Sequence, residues 1–511
     1  MSNDWSQGYF TDVGYTFGYY REISPAFLRF CLLLQGVMPP ESATPNYCEL
    51  GIGQGLSLNL HAATAPGNYW GTDFNPEHAA FAQGLAGSAA LPLDIRDESF
   101  EEFLNADLPP MDYITLHGIW TWVSPENQRQ IVEFARKFLK PGGVLYISYN
   151  CYPGWAPAAP LRQLFALHDR FAGRAQGAMA RVDSAIAFSE RLLAGNAAYA
   201  RAVPSVVERL TKIKEQNRNY IAHEYFNREW NVMYFADVAD RLATGKLEFA
   251  GSAAPLDTID AIHLSAEAQA MMKEVSHPIL REQMRDYFTF AQFRKDIFMR
   301  GVRRLTDREK GDLLGKMRFV LMTAPEDIPR KVTGSLIEGN LQPEVYEPLL
   351  SKLAEKGYEP KRFVDLCLTM QGKATAPQVL QAVAILVGMG HLAPCQDDEA
   401  VKQARTRSDK LNAEILRRSV FSRDIAYLAA PVIGGAVSVN RMQQLFLLAK
   451  TRKHADPAAF VWEIFKENGE RMLKEGQVID GEEESLQELK LSYSAFQEKA
   501  MPLLKAMGVI H

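Results

Sequence analysis

The chain has 511 residues, of which 47% are hydrophobic and 23% are charged. This composition is typical of folded globular proteins, and it excludes a wholly disordered chain and a small disulfide-stapled scaffold. The net charge of -5 argues against broad nucleic-acid binding. The first 150 residues hold 7 Lys and Arg against 16 Asp and Glu, which indicates either a cationic ligand or a solvated acidic surface.

Short apolar runs alternate with helical stretches over the first 150 residues, a pattern that predicts βαβ units and a parallel sheet. The predicted strands are Tyr47–Leu50, Tyr69–Thr72, Ala90–Leu93, Tyr113–His117 and Val144–Asn150. Helices are predicted near Gly55–Ala65, Pro76–Leu85 and Pro125–Leu139. Ser124 marks the start of the third helix, since its side chain can cap the helix that Pro125 begins.

Beyond Asn150 the pattern becomes helical until two late strand-like stretches, Lys246–Gly251 and Gln292–Met299. The late pair would complete an α/β, Rossmann-like, mostly parallel seven-stranded sheet with an antiparallel edge. We therefore predict one large α/β domain over residues 1–304, with a helical insertion at about 156–244. Mainly helical, winged-helix-like modules are expected at 305–405 and 406–511, because both end in an apolar helix, Met-Gly and a short apolar strand.

A glycine-rich loop, Glu49-Leu50-Gly51-Ile52-Gly53-Gln54-Gly55, follows the first predicted strand and opens a helix. Glycines let the backbone turn tightly and let a ligand approach closely. Asp73 and Asp94 end the second and third predicted strands, where carboxylates can meet a ribose and an adenine. The alternatives are that the glycines form a plain tight turn without a ligand, and that Asp94 is a surface residue or caps a helix.

The spacing of the glycines in this loop does not match two common kinds of nucleotide-binding site. A P-loop requires a Lys after Gly55, and a dinucleotide fingerprint requires glycine in place of Leu56. The pattern instead resembles the S-adenosylmethionine site of class I methyltransferases. By this resemblance, the cofactor is S-adenosylmethionine, and its binding residues are Glu49, Gly51, Gly53, Gly55, Asp73, Phe74, Asp94, Ile95 and His117.

Further stretches are similar to one bacterial subgroup, the methyltransferases with a regulatory domain, which includes protein lysine methyltransferases. They include residues 112–123, the Tyr149–Trp155 segment, residues 223–227, 246–253 and 293–301. The resemblance implies a protein substrate, with lysine as the expected acceptor. A small-molecule N-, O- or C-methyltransferase and a non-catalytic cofactor-binding regulatory protein remain the alternatives.

Methyl transfer from a sulfonium requires mainly that the acceptor be positioned in line with the methyl carbon. The loops at the strand ends and the aromatic N-terminus supply candidate catalytic residues, namely His117, Trp120, Tyr15 and Tyr152. Each has a structural alternative: a backbone contact for His117, a core position for Trp120, a braced turn for Tyr152. The His223–Asn227 stretch is interpreted as a structural contact to the sheet.

The remaining expectations concern environment and partners. The N-terminus lacks a basic region and an apolar run, and no segment is long and apolar enough to span a bilayer, so a cytoplasmic protein is expected. Five scattered cysteines indicate reduced thiols, and no cluster has metal-ligand spacing, so no metal is expected. No nucleic-acid partner is expected. The chain is expected to form a homodimer.

Overall fold

The computed structural model describes residues 16–172, 177–474, 477–479 and 481–511. Seven strands form its central sheet: β1 (Asn46–Leu50), β2 (Asn68–Thr72), β3 (Leu93–Arg96), β4 (Met111–Leu116), β5 (Leu139–Asn150), β6 (Glu248–Ser252) and β7 (Phe293–Met299). They lie in the order β3-β2-β1-β4-β5-β7-β6. Only β7 runs antiparallel to its neighbours in this sheet, so the predicted Rossmann-like architecture is confirmed.

Helices cover both faces of the sheet. The helices of this part of the chain are α1 (Pro25–Leu34), α2 (Leu56–Thr64), α3 (Pro76–Ala89), α4 (Phe100–Leu104) and α5 (Pro125–Phe138). The first three share a hydrophobic core with Tyr47 and Tyr69, whereas α4 and α5 pack on the opposite face with Ile114. Ser124 caps α5 as predicted, because its side chain accepts a hydrogen bond from the Asn127 N–H at 3.2 Å.

The third strand lies three residues later than predicted. α3 extends to Ala89, and Ala90 ends it in the left-handed conformation with φ of 51°. The next strand therefore begins only at Leu93, after Pro92, which has no N–H to donate to a neighbouring strand. The predicted strand Ala90–Leu93 is wrong, and Asp94 and Ile95 lie within β3 instead of after it.

The predicted helical insertion is confirmed between β5 and β6. Its helices are α6 (Ala159–Ala172), α7 (Ala178–Ala194), α8 (Ala198–Ala202), α9 (Ser205–Glu215), α10 (Arg218–Tyr225) and α11 (Phe235–Ala243). The insertion has a hydrophobic core of its own, in which Trp155, Phe165 and Tyr225 are buried. Three more helices connect β6 to β7: α12 (Asp260–His263), α13 (Ala266–Glu274) and α14 (Pro278–Thr289).

The C-terminal region combines helices with small antiparallel sheets. Its helices are α15 (Asp307–Lys316), α16 (Pro343–Tyr358), α17 (Phe363–Thr369), α18 (Ala376–Met389), α19 (Asp398–Arg418), α20 (Arg441–Thr451), α21 (Pro457–Glu467), α22 (Glu482–Ala495) and α23 (Met501–Ala506). Its strands are β8 (Arg318–Leu321), β9 (Lys331–Thr333), β10 (Glu338–Asn340), β11 (Lys361–Arg362), β12 (Leu392–Cys395), β13 (Tyr427–Ala430), β14 (Gly435–Ser438), β15 (Leu473–Lys474) and β16 (Gln477–Val478). No helix in the described ranges is long and apolar enough to cross a membrane.

The strand expected after Met507-Gly508 does not form, whereas β12 follows the corresponding Met389-Gly390. The winged-helix character of the modules and the boundaries at 305 and 406 stay predictions. One hydrophobic core runs from the α1–α3 face of the sheet into the C-terminal region.

The helix α2, directly after the glycine loop, is buried along its whole length. Helix α19 of the C-terminal region packs against it and against α3. Two polar contacts close the C-terminal end of α2: Ser408 Oγ donates to the Ala63 carbonyl at 3.0 Å, and Gln396 Nε2 donates to the Thr64 carbonyl at 2.7 Å. The C-terminal region therefore braces the helix that the glycine loop opens.

Candidate active site

A cavity lies at the carboxyl ends of the central strands, and the glycine loop forms its floor. Gly51, Gly53 and Gly55 all have positive φ, which L side chains rarely adopt. A Cβ on Gly51 would lie 2.5 Å from Ile119 Cδ1, so that position also lacks space for a methyl group. The first two of these glycines line the cavity, and Gly55 caps the start of α2.

Asp73 connects the end of β2 to the glycine loop. Its Oδ2 accepts a hydrogen bond from the Gly53 N–H at 2.8 Å, and its Oδ1 accepts one from the Asn75 N–H at 3.0 Å. The carboxylate is buried and lines the cavity together with Phe74. The structure thus brings the predicted ribose-binding acid beside the loop, where carboxylate oxygens can accept further hydrogen bonds.

Glu49 lies in β1 with its side chain on the wall of the cavity. It is buried, and its Oε2 has no hydrogen-bond partner among the described residues. Burial raises the pKa of Glu49 to about 8. Because an unpartnered buried carboxyl oxygen is costly, this arrangement favours a ligand that brings a donor, and the ammonium of an amino acid fits that requirement.

The third predicted acid is not part of the cavity. Asp94 lies in β3 and forms an ion pair with Arg96, with 2.9 Å between Oδ2 and Nη2. Neither Asp94 nor Ile95 lines the cavity, and that corner is formed by Glu98, Ser99 and Phe100. The structure thus does not bring these two residues into the cavity, because β3 continues past them to Arg96 before the chain reaches the rim, and their adenine contacts stay a prediction.

His117 follows β4 and lies between two tyrosines. Its ring stacks on Tyr20, with 3.8 Å between the centroids, and its Nδ1 lies 2.8 Å from the Tyr146 hydroxyl. Burial lowers the pKa of His117 to about 4, so the imidazole is neutral at pH 7. The structure therefore places His117 in the cavity wall as an uncharged group, which avoids repulsion of a cationic ligand.

Three other predicted catalytic residues are not placed in this cavity. Trp120 is fully buried in the core between the sheet and α5, and Trp122 lines the cavity instead. Tyr152 packs against Tyr234, with 5.3 Å between ring centroids. Tyr15 lies outside the described residues, whereas Tyr20, five residues later in the chain, lines the cavity.

The helical insertion forms a wall that the sequence analysis missed. Lining residues from α10 and the segment after it are Tyr220, His223, Glu224, Asn227 and Glu229. His223, Glu224 and Asn227 thus line the cavity. The sequence analysis predicts only a structural contact to the sheet for this stretch. Its place among the subgroup-like stretches was the signal that could have indicated this role.

The described lining of the cavity contains acidic residues but no basic Lys or Arg. Its five acids are Glu49, Asp73, Glu98, Glu224 and Glu229. A low-dielectric cleft lined by one sign of charge attracts ligands of the opposite sign. The cavity therefore favours cationic ligands over phosphates and other anions.

A second cavity shares Tyr20 and His117 with the first. It extends between the sheet and the C-terminal region, where its lining includes Phe293, Met322, Pro394 and Tyr427. The site thus opens towards a surface formed by parts of the chain that are far apart in sequence.

Comparisons with known proteins agree with this geometry. A family model described as a methyltransferase domain matches residues 48–143, and one described as a predicted methyltransferase regulatory domain matches residues 217–300. Protein sll1526 of Synechocystis sp. is 40% identical over 509 residues, which is 99% of both chains. Protein RP789 of Rickettsia prowazekii is 23% identical over 344 residues, which is 65% of this chain and 60% of that one.

A solved structure shares the architecture over nearly the whole length. It is the structure of PKMT2 from Rickettsia typhi in complex with AdoHcy, which superposes with a TM-score of 0.69 at 17% sequence identity. The superposition covers 95% of this chain and 98% of PKMT2. The likeness therefore shows a common fold that includes the C-terminal region as well as the sheet.

Proposed function

The chain belongs to the S-adenosylmethionine-dependent methyltransferases that carry a methyltransferase regulatory domain, and from this premise we propose that it methylates lysine side chains of proteins. The observation that carries the proposal is the acidic cavity between the glycine loop and the helical insertion. When bound, S-adenosylmethionine supplies a methyl group on a positively charged sulfur. Both this sulfonium and a lysine ammonium are cations, which suits a cavity without Lys or Arg in its described lining.

The cofactor fits the polar groups of the loop. The free Oε2 of Glu49 is available for the cofactor's ammonium, and the carboxylate of Asp73 is available for ribose hydroxyls. Gly51 and Gly53 leave the backbone open to close approach. These assignments use the residues that the sequence resemblance indicates, and the structure of PKMT2 with AdoHcy supports them through its common fold.

The acceptor is proposed from the other walls of the cavity. A lysine must lose a proton before its nitrogen can attack, and a neighbouring sulfonium and a partly dry aromatic site both favour the neutral amine. Tyr20, His117 and Trp122 supply such aromatic surroundings. The second cavity gives a protein chain room to approach Tyr20 and His117. The stretches that resemble the bacterial subgroup with protein lysine methyltransferases support a protein acceptor.

Radiolabel transfer tests the proposal. The full-length protein is incubated with S-adenosylmethionine labelled in the methyl group and with separated membrane and soluble bacterial protein fractions. Label is expected in protein, and mass spectrometry is expected to place it on lysine. Asp73→Ala serves as the control, because it should bind the cofactor poorly and transfer little label.

Two results would contradict the proposal in different ways. Label on a protein residue other than lysine would retain a protein methyltransferase and exclude the lysine acceptor. Label in small molecules alone, with none in any protein fraction, would exclude a protein acceptor altogether.

A further inference from the structure

The wall of the cavity formed by the helical insertion contains an acid that the cofactor motif does not use. Glu224 on α10 lines the cavity, and its Oε1 accepts a hydrogen bond from Asn150 Nδ2 at 3.4 Å. Asn150 ends β5, and its backbone N–H donates to Thr121 Oγ1 at 2.9 Å. Glu224 is therefore connected to the rim of the sheet, at the end of a strand next to β4.

Aromatic rings accompany this carboxylate. Tyr220, one turn before Glu224 on α10, lines the same wall and is 42% exposed. Its partial burial raises the pKa of Tyr220 to about 12, with Glu224 and Tyr20 also contributing. Tyr20 stacks on His117 across the cavity. Tyrosine faces attract cations, and a carboxylate beside them adds a charged acceptor, so the two together form a receptor for an ammonium group.

Two other acids at the two cavities already have ion-pair partners in the protein. Glu22 forms an ion pair with Lys295 at 2.6 Å, and Glu98 forms one with Arg96 at 3.7 Å. Glu224 instead accepts from a neutral amide and takes part in none of the ion pairs among the described residues. Burial raises its pKa to about 7, against the Asn150 hydrogen bond and the charges of Arg209 and Arg162, which lower it.

We propose that Glu224 and Tyr220 bind the cationic amine of the methyl acceptor, so that the helical insertion determines selectivity for charged amines. This inference rests on the proposed function of the same cavity. It assigns Glu49 to the cofactor and Glu224 to the acceptor, which gives each of the two ammonium groups its own carboxylate.

A binding experiment tests the receptor without knowledge of the natural acceptor. The full-length protein is saturated with S-adenosylhomocysteine and titrated with n-butylammonium, a mimic of the lysine side chain, while its thermal midpoint is recorded. A rise in the midpoint is expected that the uncharged isostere n-butanol does not produce. Glu224→Gln should abolish the rise, Glu224→Asp should keep part of it, and Glu215→Gln, at an exposed end of α9, should keep all of it.

Kinetics with peptides provide the second arm. The probes are synthetic peptides with a central lysine, with norleucine peptides as blanks, and label from S-adenosylmethionine is measured. Glu224→Gln should raise the KM for peptide by about tenfold to a hundredfold, the usual effect of losing a charged contact. The affinity for S-adenosylhomocysteine should change less than about threefold, because that ligand contacts a different carboxylate.

The two arms distinguish failure of this inference from failure of the proposed function. The inference is overturned if the wild type shows no response to n-butylammonium, or if Glu224→Gln keeps the response. It is also overturned if Glu224→Gln weakens S-adenosylhomocysteine binding as much as peptide methylation. A wild type that responds through Glu224 but labels no lysine peptide would support the amine site and exclude lysine as its acceptor.

Discussion

Proton release on cofactor binding tests the role assigned to Glu49. The raised pKa of about 8 means that this buried acid is almost fully protonated at about pH 6.5 in the free protein. A cationic group in contact lowers the pKa of an acid by about 1–3 units, and a drop of about two units would place it near 6. Binding should then release about 0.7 proton per site at about pH 6.5.

Calorimetry measures this proton directly. Titration with S-adenosylhomocysteine in buffers of different ionisation enthalpy gives the number of protons as the slope of the observed enthalpy. The ligand's own ammonium stays charged below about pH 7, since an α-amino group titrates near 7.7–8.0. For the same reason affinity should rise with pH between about 6 and 7, because less work is needed to ionise Glu49.

Glu49→Gln is the matched variant, because it keeps the shape of the side chain and removes the proton. For this variant the slope of the observed enthalpy against the ionisation enthalpy of the buffer should fall to near zero. Its affinity for S-adenosylhomocysteine should no longer rise with pH. All other titratable groups are present in both proteins, so the difference between the two slopes belongs to Glu49. Equal slopes for wild type and Glu49→Gln would refute the reasoning.

Three further substitutions test the loop and its support, and a fourth, Gly36→Ala, is the control for the first of them. Gly51→Ala and Gly36→Ala both place Ala at a left-handed position, with φ of 70° and 67°, at a cost of roughly 1–2 kcal/mol. Only Gly51→Ala meets a side chain, so it alone should weaken S-adenosylhomocysteine binding, by about tenfold, and equal affinities would contradict this steric argument. Asp73→Ala should weaken the same binding about tenfold to a hundredfold by calorimetry, and unchanged affinity would exclude its ribose contact. Ser408→Ala should lower the free energy of unfolding by about 1–3 kcal/mol in urea, since it leaves the Ala63 carbonyl without this donor, and an unchanged midpoint would contradict the bracing of α2.

The sequence predicts the cofactor half of the site because its signals are local. Glycines at fixed spacing after a strand, and Asp73 at the end of the next, lie on one rim whenever parallel strands alternate with helices. Asp94 was misplaced because the prediction ended α3 at Leu85, and each further turn of helix moves the following strand along the chain.

The acceptor half was harder to predict. Glu224 comes about 175 residues after Glu49, and apart from the subgroup-like stretch around it no local pattern indicates which wall of the fold α10 covers. Trp120 and Trp122 occupy a single 3-10 turn, where residues two apart point in different directions, so one enters the core and the other the cavity. The cytoplasmic location and the homodimer stay predictions.

Because α19 packs over α2, the order in which the chain is synthesised determines when α2 gains its native neighbour. Residues 56–64 leave the ribosome roughly 330 residues before α19, which at about 5–20 residues per second is a delay of roughly 20 to 70 seconds. During that interval the helix behind the glycine loop lacks its native neighbour and the donors of Ser408 and Gln396. A nascent chain therefore completes the support of the helix behind its glycine loop only after α19 has been synthesised.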